Sequence, residues 1–338
     1  MTKKPEYSIT DLGVVPGFDE SRAITLSDNG QVVGTLHSGD IDFKPYGFLW
    51  QEGRMSTLRD IIPNDINDKG QIVGPSRKNF LEFIAHAGKP RDSPRHSTFH
   101  WTHAINEAGQ AVGYSQFINR NVPSKSKRSP FILENGERRF LPIPENYHAG
   151  EAKGINSQGT IVGNVWLRNA SDKHAVVWQD DAVRFLDEPK DFPTAEAEAV
   201  NDSEQILVRA VRSNTVEILK QVAGNGNLDE WAENVSKIPK DAWESKQQSY
   251  LWHRGQWQPI DGSALALNNQ GQVVGWSGGL SPYAFLWQNG KQIDLNQWLP
   301  SNSVWHLERA NDINNRGQIV GYGKHHSKDR AFLLTPIT

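Results

Sequence analysis

The stretch Asn311-Asp312-Ile313-Asn314-Asn315-Arg316-Gly317-Gln318-Ile319-Val320-Gly321 recurs along the chain, and the recurrence sets the fold. Its pattern is apolar, Asn, two free positions, Gly, Gln, two apolar residues and Gly. Copies run from Leu26 to Gly34, Ile66 to Gly74, Ile105 to Gly113, Ile155 to Gly163, Leu267 to Gly275 and Ile313 to Gly321. Ser27 stands where the other copies carry Asn. A worn copy starts at Val200, with Asn201 and Gln205 retained but Glu204 and Val208 replacing the glycines. The seven copies start 40, 39, 50, 45, 67 and 46 residues apart. Periods of this length belong to stacked or radial repeats.

A second pattern trails the first, as in Gly47-Phe48-Leu49-Trp50, Ala175-Val176-Val177-Trp178 and Ala284-Phe285-Leu286-Trp287. A Gly-containing turn usually follows it, such as Asn289-Gly290-Lys291. Each unit therefore reads as four short strands. Strand A ends in the apolar-Asn pair, and Asn-x-x-Gly turns the chain, since both residues tolerate positive φ. Strand B is the β-branched Gln-Ile-Val-Gly run, strand C the Phe-Leu-Trp run, and strand D follows the second turn. Four strands per repeat, seven times, predict an all-β, seven-bladed β-propeller of four-stranded blades, one domain over residues 1–338. The last copy stops after strand C, at Leu334-Thr335-Pro336. The chain starts with a lone strand, Tyr7-Ser8-Ile9-Thr10-Asp11-Leu12-Gly13, expected to complete the last blade and close the ring. Between strands B and C of blade five, residues 213–246 are expected to form a small helical insertion, from the helical spacing in Val216 to Val222 and Leu228 to Val235.

The repeat resembles the HAF repeat family, on the triplets His174-Ala175-Val176, Tyr283-Ala284-Phe285 and Arg330-Ala331-Phe332, the Asn-x-x-Gly-Gln-x-x-Gly core and Asp11-Leu12-Gly13. The resemblance covers nearly the whole chain. It implies an extracellular repeat protein and brings no catalytic residues. The sequence opens without an apolar signal region, which reads as cytoplasmic for the chain as given, or extracellular if a leader has been removed.

A net charge of −3 gives no general attraction to nucleic acid, and no apolar run is long enough to span a membrane. The absence of Cys excludes disulfides and thiolate metal sites. The variable segments, Thr35 to Tyr46, Tyr114 to Ser129, Asn164 to Lys173 and Tyr322 to Asp329, all fall on one face of the expected ring, and function concentrates on such loops. Several are basic, through Arg120, Lys125, Lys127 and Arg128, or Arg168 and Lys173.

Counting back from the apolar residue of each repeat, the fourth position is Arg22, Trp101, Glu151, Glu196 and Arg309 in blades one, three, four, five and seven. These are expected at the channel mouth, two Arg facing two Glu. The eighth position is Phe18, Tyr147, Phe192 and Trp305, and the seventh includes His148 and His306. Together they read as aromatic platforms over a bipolar pocket, or as staples between loops and blades. The expected function is non-catalytic binding of a protein or glycan, anionic ones included, by a monomer without cofactor or metal. The alternative is a carbohydrate-active hydrolase or lyase at the channel mouth, with Glu151 and Glu196 as acid and base. Solvent-facing carboxylates favour that alternative, and ion-paired ones weigh against it. The Asp-x-Asn-x-x-Gly runs at Asp65 and Asp312 lack a workable calcium pattern, since Lys69 or Arg316 takes the fifth position. His96, His100 and His103, and His325 with His326, lack a partner spacing that would mark a zinc site.

Overall fold

The computed structural model describes residues 7–39, 45–75, 82–86, 89–92, 99–117, 127–168, 172–189, 192, 194–212 and 246–337. It contains sheets of four antiparallel strands, each sheet built from one repeat. The inner strands are β2 (Glu20–Leu26), β6 (Asp65–Ile66), β10 (Phe99–Ile105), β14 (Ala149–Ile155), β18 (Thr194–Val200), β22 (Ser263–Leu267) and β26 (Trp305–Ile313). The last sheet runs β26, β27 (Ile319–His325), β28 (Lys328–Pro336) and then β1 (Tyr7–Asp11). Tyr7 pairs with Pro336 and Asp11 with Phe332, so the first strand of the chain completes the last blade. Stacking of Tyr7 on Trp298, with centroids 5.2 Å apart, ties that seam to blade six.

Two parts of the expected architecture are corrected. The ring does not consist of seven full blades. Six blades have inner strands of five to nine residues, whereas blade two keeps only the two-residue β6. Pro75, on the partner strand, is the physical reason. The N–H groups of Ile62 and Asn64 still donate to the Pro75 and Val73 carbonyls, but Pro75 has no N–H to return to Ile62, so the ladder is interrupted just before β6. The expected helical insertion is also not seen. Among the described residues the helical element is a 3-10 turn at Leu295–Trp298. Residues 213–245 lie outside the described residues, and Lys246 already opens β20 (Lys246–His253).

The core is distributed between blades. Seven apolar clusters each join two neighbours. Leu12, Ala23, Phe48, Val320 and Ala331 join blade seven to blade one, and Val162, Val177, Ala197 and Val208 join four to five. Burying these faces drives the ring together.

The repeat motif has a second task, at the end of the channel where the A–B turns lie. The Asn side chain is buried in every copy that carries it. Its Nδ2 donates to the backbone carbonyl of the equivalent residue in the next blade: Asn67 to Asn106 at 3.0 Å, Asn106 to Asn156 at 3.0 Å and Asn156 to Asn201 at 3.1 Å. The ring continues from Asn201 to Asn268 at 2.9 Å, Asn268 to Asn314 at 3.0 Å and Asn314 to Ser27 at 3.0 Å. Ser27 is too short to reach onward, so one link is missing. Within its own turn Asn268 also donates to Gln272 Oε1 at 2.7 Å, and its Oδ1 accepts the N–H groups of Gln270 and Gln272. The first repeat glycine meets the Gln of the preceding blade; a Cβ on Gly271 would lie 2.9 Å from Gln205 Oε1. Asn, Gly and Gln are thus one unit that stitches adjacent blades.

Deeper in this end, Thr25 Oγ1 lies 2.6 Å from an Asp312 carboxylate oxygen and 3.2 Å from one of Asp65. One hydroxyl proton cannot serve two carboxylates. Burial, with Asp312 nearby, pushes the Asp65 carboxyl up to about 7, so it holds a proton over much of the neutral range.

Two predictions follow from these contacts. Asn268→Ala strands several buried groups and lowers unfolding free energy by roughly 3 kcal/mol in denaturant titration, while Ser27→Asn supplies the missing link and raises it by about 1 kcal/mol. Asp65 has a folded pKa above its unfolded value, so it binds more protons folded than unfolded. Its contribution to stability falls as pH rises from the ordinary carboxylate range to about 7. Melting temperatures of Asp65→Asn measured across that window will therefore decline less with pH than those of the wild type.

Candidate functional site

The opposite end of the channel is shaped by a backbone irregularity that recurs in each full blade, with a second one in blade seven between Leu307 and Arg309. Inner strands carry a register shift, between Thr102 and Ala104, Ala152 and Gly154, and Ala197 and Ala199 for example. The shift presses strand A against strand B at the last repeat glycine. A Cβ on Gly163 would lie 2.1 Å from the Glu151 carbonyl oxygen, and one on Gly321 would lie 1.9 Å from that of Arg309. Glycine gives room for this close approach in five of the full blades, while blade five keeps the bulge with Val208 in that place. The bulge turns the intervening residue toward the channel: Ile24, His103, Lys153, Glu198, Leu265 and Asn311.

On the side of blades three to five this builds a charged cluster. Glu151 and Glu196 are both buried. Lys173 Nζ sits 3.0 Å from a carboxylate oxygen of each. Arg128 caps Glu151 at 3.1 Å and Arg209 caps Glu196 at 3.0 Å. Lys153 lies 3.9 Å from both Glu151 and Glu198, and Arg209 also reaches Glu198 at 3.5 Å. Aromatic faces support the cations. Arg128 lies over Tyr114 at 4.6 Å, Tyr114 stacks parallel to Trp101 at 6.3 Å, and Lys173 lies 5.7 Å from the centre of the Trp166 ring.

The environment separates the carboxyls. Burial would raise Glu151, but Lys153 and Lys173 outweigh it and hold it below the ordinary carboxylate range. Burial dominates at Glu198, whose pKa is raised despite Lys153 and Arg209. Burial, reinforced by Lys153, pushes His103 down to about 3, so its ring is neutral. Its Nε2 is enclosed and has no hydrogen-bond partner.

The other side of the mouth is formed by blades six, seven and one. Arg22, Ile24, Thr35, His37, Leu265, Arg309, Asn311 and Tyr322 line a cavity of about 430 Å³. Arg22 donates to Asp329 Oδ2 at 2.6 and 3.2 Å, and Lys324 pairs with the same carboxylate.

Of the residues expected at the mouth, the structure gathers Trp101, Glu151 and Glu196 on one side and Arg22 and Arg309 on the other. The two Glu are ion-paired rather than solvent-facing, the arrangement expected to weigh against them as the acid and base of the catalytic alternative. The aromatic residues do not join them. Phe18 packs on Tyr46 at 5.4 Å, Phe192 on Tyr250 at 6.1 Å, and Tyr147 on His174 and Phe185 at 5.6 and 5.2 Å. Trp305 stacks on His325 at 4.5 Å. Each ring thus fastens a loop to strands of its own blade. His148 contacts Arg168, and His306 contacts the Pro282 carbonyl. Among the described residues no three His, Asp or Glu side chains gather as a metal site. His96, Arg120 and Lys125 lie outside the described residues. Sequence reading missed Lys153 and Glu198 as channel residues, because a bulge breaks strand alternation. The available signal was the position two before each apolar repeat residue.

No family model matches the chain, and no curated protein matches it. Solved structures do. The acylaminoacyl peptidase of Pyrococcus horikoshii superposes with TM-score 0.58 at 15% identity, over 96% of this chain and 52% of the peptidase. This chain therefore spans about half the peptidase's length. The β-propeller domain of the Trilobed protease from Pyrococcus furiosus gives TM-score 0.58 at 13% identity, over 95% of this chain and 94% of that one. An oligogalacturonate lyase in complex with manganese gives TM-score 0.58 at 10% identity, over 100% and 95%. The chain is a β-propeller.

At such identities the likeness shows the fold alone. The expectation of a non-catalytic binding propeller finds no counterpart among them, since they are peptidases and a lyase.

Removing the bridging ammonium tests the electrostatics. Lys173→Met takes one cation from each of two buried carboxylates, which keep Arg128 and Arg209, and costs roughly 2 kcal/mol at neutral pH. The deficit read from denaturant midpoints shrinks as pH falls and Glu151 takes up a proton.

Proposed function

We propose that the propeller is a carbohydrate-active enzyme, a hydrolase or lyase, cleaving a glycosidic bond at the channel mouth. The observation that carries this reading is the pair Glu151 and Glu198, both 3.9 Å from Lys153, with burial raising the pKa of Glu198 while Lys153 and Lys173 lower that of Glu151. Carboxyls driven apart in this way are suited to acid and base roles. The ion pairing of Glu196 with Lys173 and Arg209 weighs against Glu196 as the acid. Glu198, protonated, donates to the departing glycosidic oxygen. Glu151, ionised, takes the proton of the attacking water, or of the ring carbon when the cleavage is an elimination. Trp101 and Tyr114 provide stacked faces beside the cluster.

The resemblance of the repeats to the HAF repeat family is compatible with this reading and adds no site residues.

The test is turnover of an oligosaccharide panel containing neutral and acidic sugars, with products separated by chromatography and elimination detected by the ultraviolet absorbance of the new double bond. Glu151→Gln and Glu198→Gln each lower kcat roughly 100-fold or more. Activity needs Glu151 ionised and Glu198 protonated. The rate therefore rises with pH through the lowered Glu151 pKa and falls through the raised Glu198 pKa. Full turnover by both variants overturns the assignment.

A further inference from the structure

Arg309 differs from the other cations of the mouth. Arg22, Lys173, Lys153, Arg128 and Arg209 each pair with a carboxylate. Among the described residues no acidic side chain pairs with Arg309. Its Nε donates to Asn311 Oδ1 at 2.9 Å, and its guanidinium lies 5.7 Å from the centre of the Trp276 ring. Asn311 is itself fixed, donating from Nδ2 to the Ala23 carbonyl of blade one at 2.7 Å. The guanidinium is therefore oriented from one edge and supported from one face, and among the described residues neither of its terminal amino groups makes a hydrogen bond. That is the planar fork that takes a carboxylate through two parallel hydrogen bonds.

The surroundings restrict what fits. The cavity of about 430 Å³ falls in the range of small-ligand sites, roughly 300–1,000 Å³. Ile24 and Leu265 supply apolar wall, and Thr35, Asn311 and Tyr322 supply hydroxyl and amide groups. The second guanidinium, Arg22, is already taken by Asp329, so one open positive site remains. His37 does not add charge. Burial and then Arg22 hold it below the ordinary imidazole range, and its Nε2 contacts Thr35 Oγ1 at 3.0 Å.

We propose that this cavity is a subsite for a uronic-acid unit, its carboxylate held by Arg309 and its ring hydroxyls by Thr35, Asn311 and Tyr322. The sugar part rests on the glycosidic reading above, and the carboxylate part rests on Arg309 alone. The proposal names the substrate as an acidic glycan. It divides the channel mouth into an acid–base side on blades three to five and a recognition side on blades six, seven and one.

The experiment is isothermal titration of the full chain with glucuronate and a short oligouronate, against glucose and acetate. Uronate binds, while glucose and acetate bind roughly tenfold more weakly or not at all. Arg309→Gln loses roughly tenfold or more in affinity, the size of a charge-assisted hydrogen bond. Arg309→Lys keeps part of it, having charge without the fork. Leu265→Glu, which places a competing carboxylate in the cavity, abolishes binding in a chain whose folding is checked by melting temperature. Uronate binding through Arg309 without cleavage of any glycan upholds the subsite and removes the acid–base reading. Cleavage of neutral glycans without uronate binding does the reverse. Unchanged affinity in Arg309→Gln, or acetate binding as tightly as uronate, overturns the proposal.

Discussion

The hydrogen bond from each repeat Asn to the backbone of the next blade is the constraint on which the rest of this structure depends. Apolar packing between blades drives association, but it is non-directional and would allow neighbouring sheets to slide. The buried Asn carboxamide is directional. It is satisfied only when adjacent turns stand in one relative position, and leaving it unsatisfied is costly. Repeated around the channel, the bond fixes the angle between blades and hence the spacing of the inner strands. The pairing of Tyr7–Asp11 with the last strand then removes the open edge.

That rigid end gives the other end its freedom. With the turns stitched, the inner strands bulge at a common level, and each bulge presents one side chain to the channel. Those positions do not share a residue type. His103, Lys153 and Glu198 fall on one side and Ile24, Leu265 and Asn311 on the other, so the mouth has an electrostatic side and a more apolar one. The charged side is compact because its carboxylates share cations: Lys173 serves Glu151 and Glu196, and Lys153 serves Glu151 and Glu198. Sharing limits the number of buried charges while holding one carboxyl ionised and letting burial dominate at another.

The aromatic residues ahead of each blade illustrate how one pattern serves packing rather than recognition. Phe18, Tyr147, Phe192 and Trp305 recur at one position, and each rests on rings of its own blade. Their regular spacing reflects a common need to fasten the D-to-A connection. Residues that do face the channel mouth recur in position but not in kind.

The sequence by itself determined the repeat, the strand order within each blade and the joining of the first strand to the last, because turn chemistry and strand alternation are local and recur seven times. It also placed Arg22, Trp101, Glu151, Glu196 and Arg309 at the mouth, since they share one register position. Tertiary structure decided the rest. Pro75 shortened the inner strand of blade two by removing the N–H that would answer Ile62, a loss visible only once the two strands are paired. The bulges brought Lys153 and Glu198 into the channel, against simple alternation. Lys173 and Arg128, which sequence marks only as loop cations, reach buried carboxylates across neighbouring blades. The state of each carboxyl follows from burial and from which cations it shares, and both depend on residues far apart in the chain.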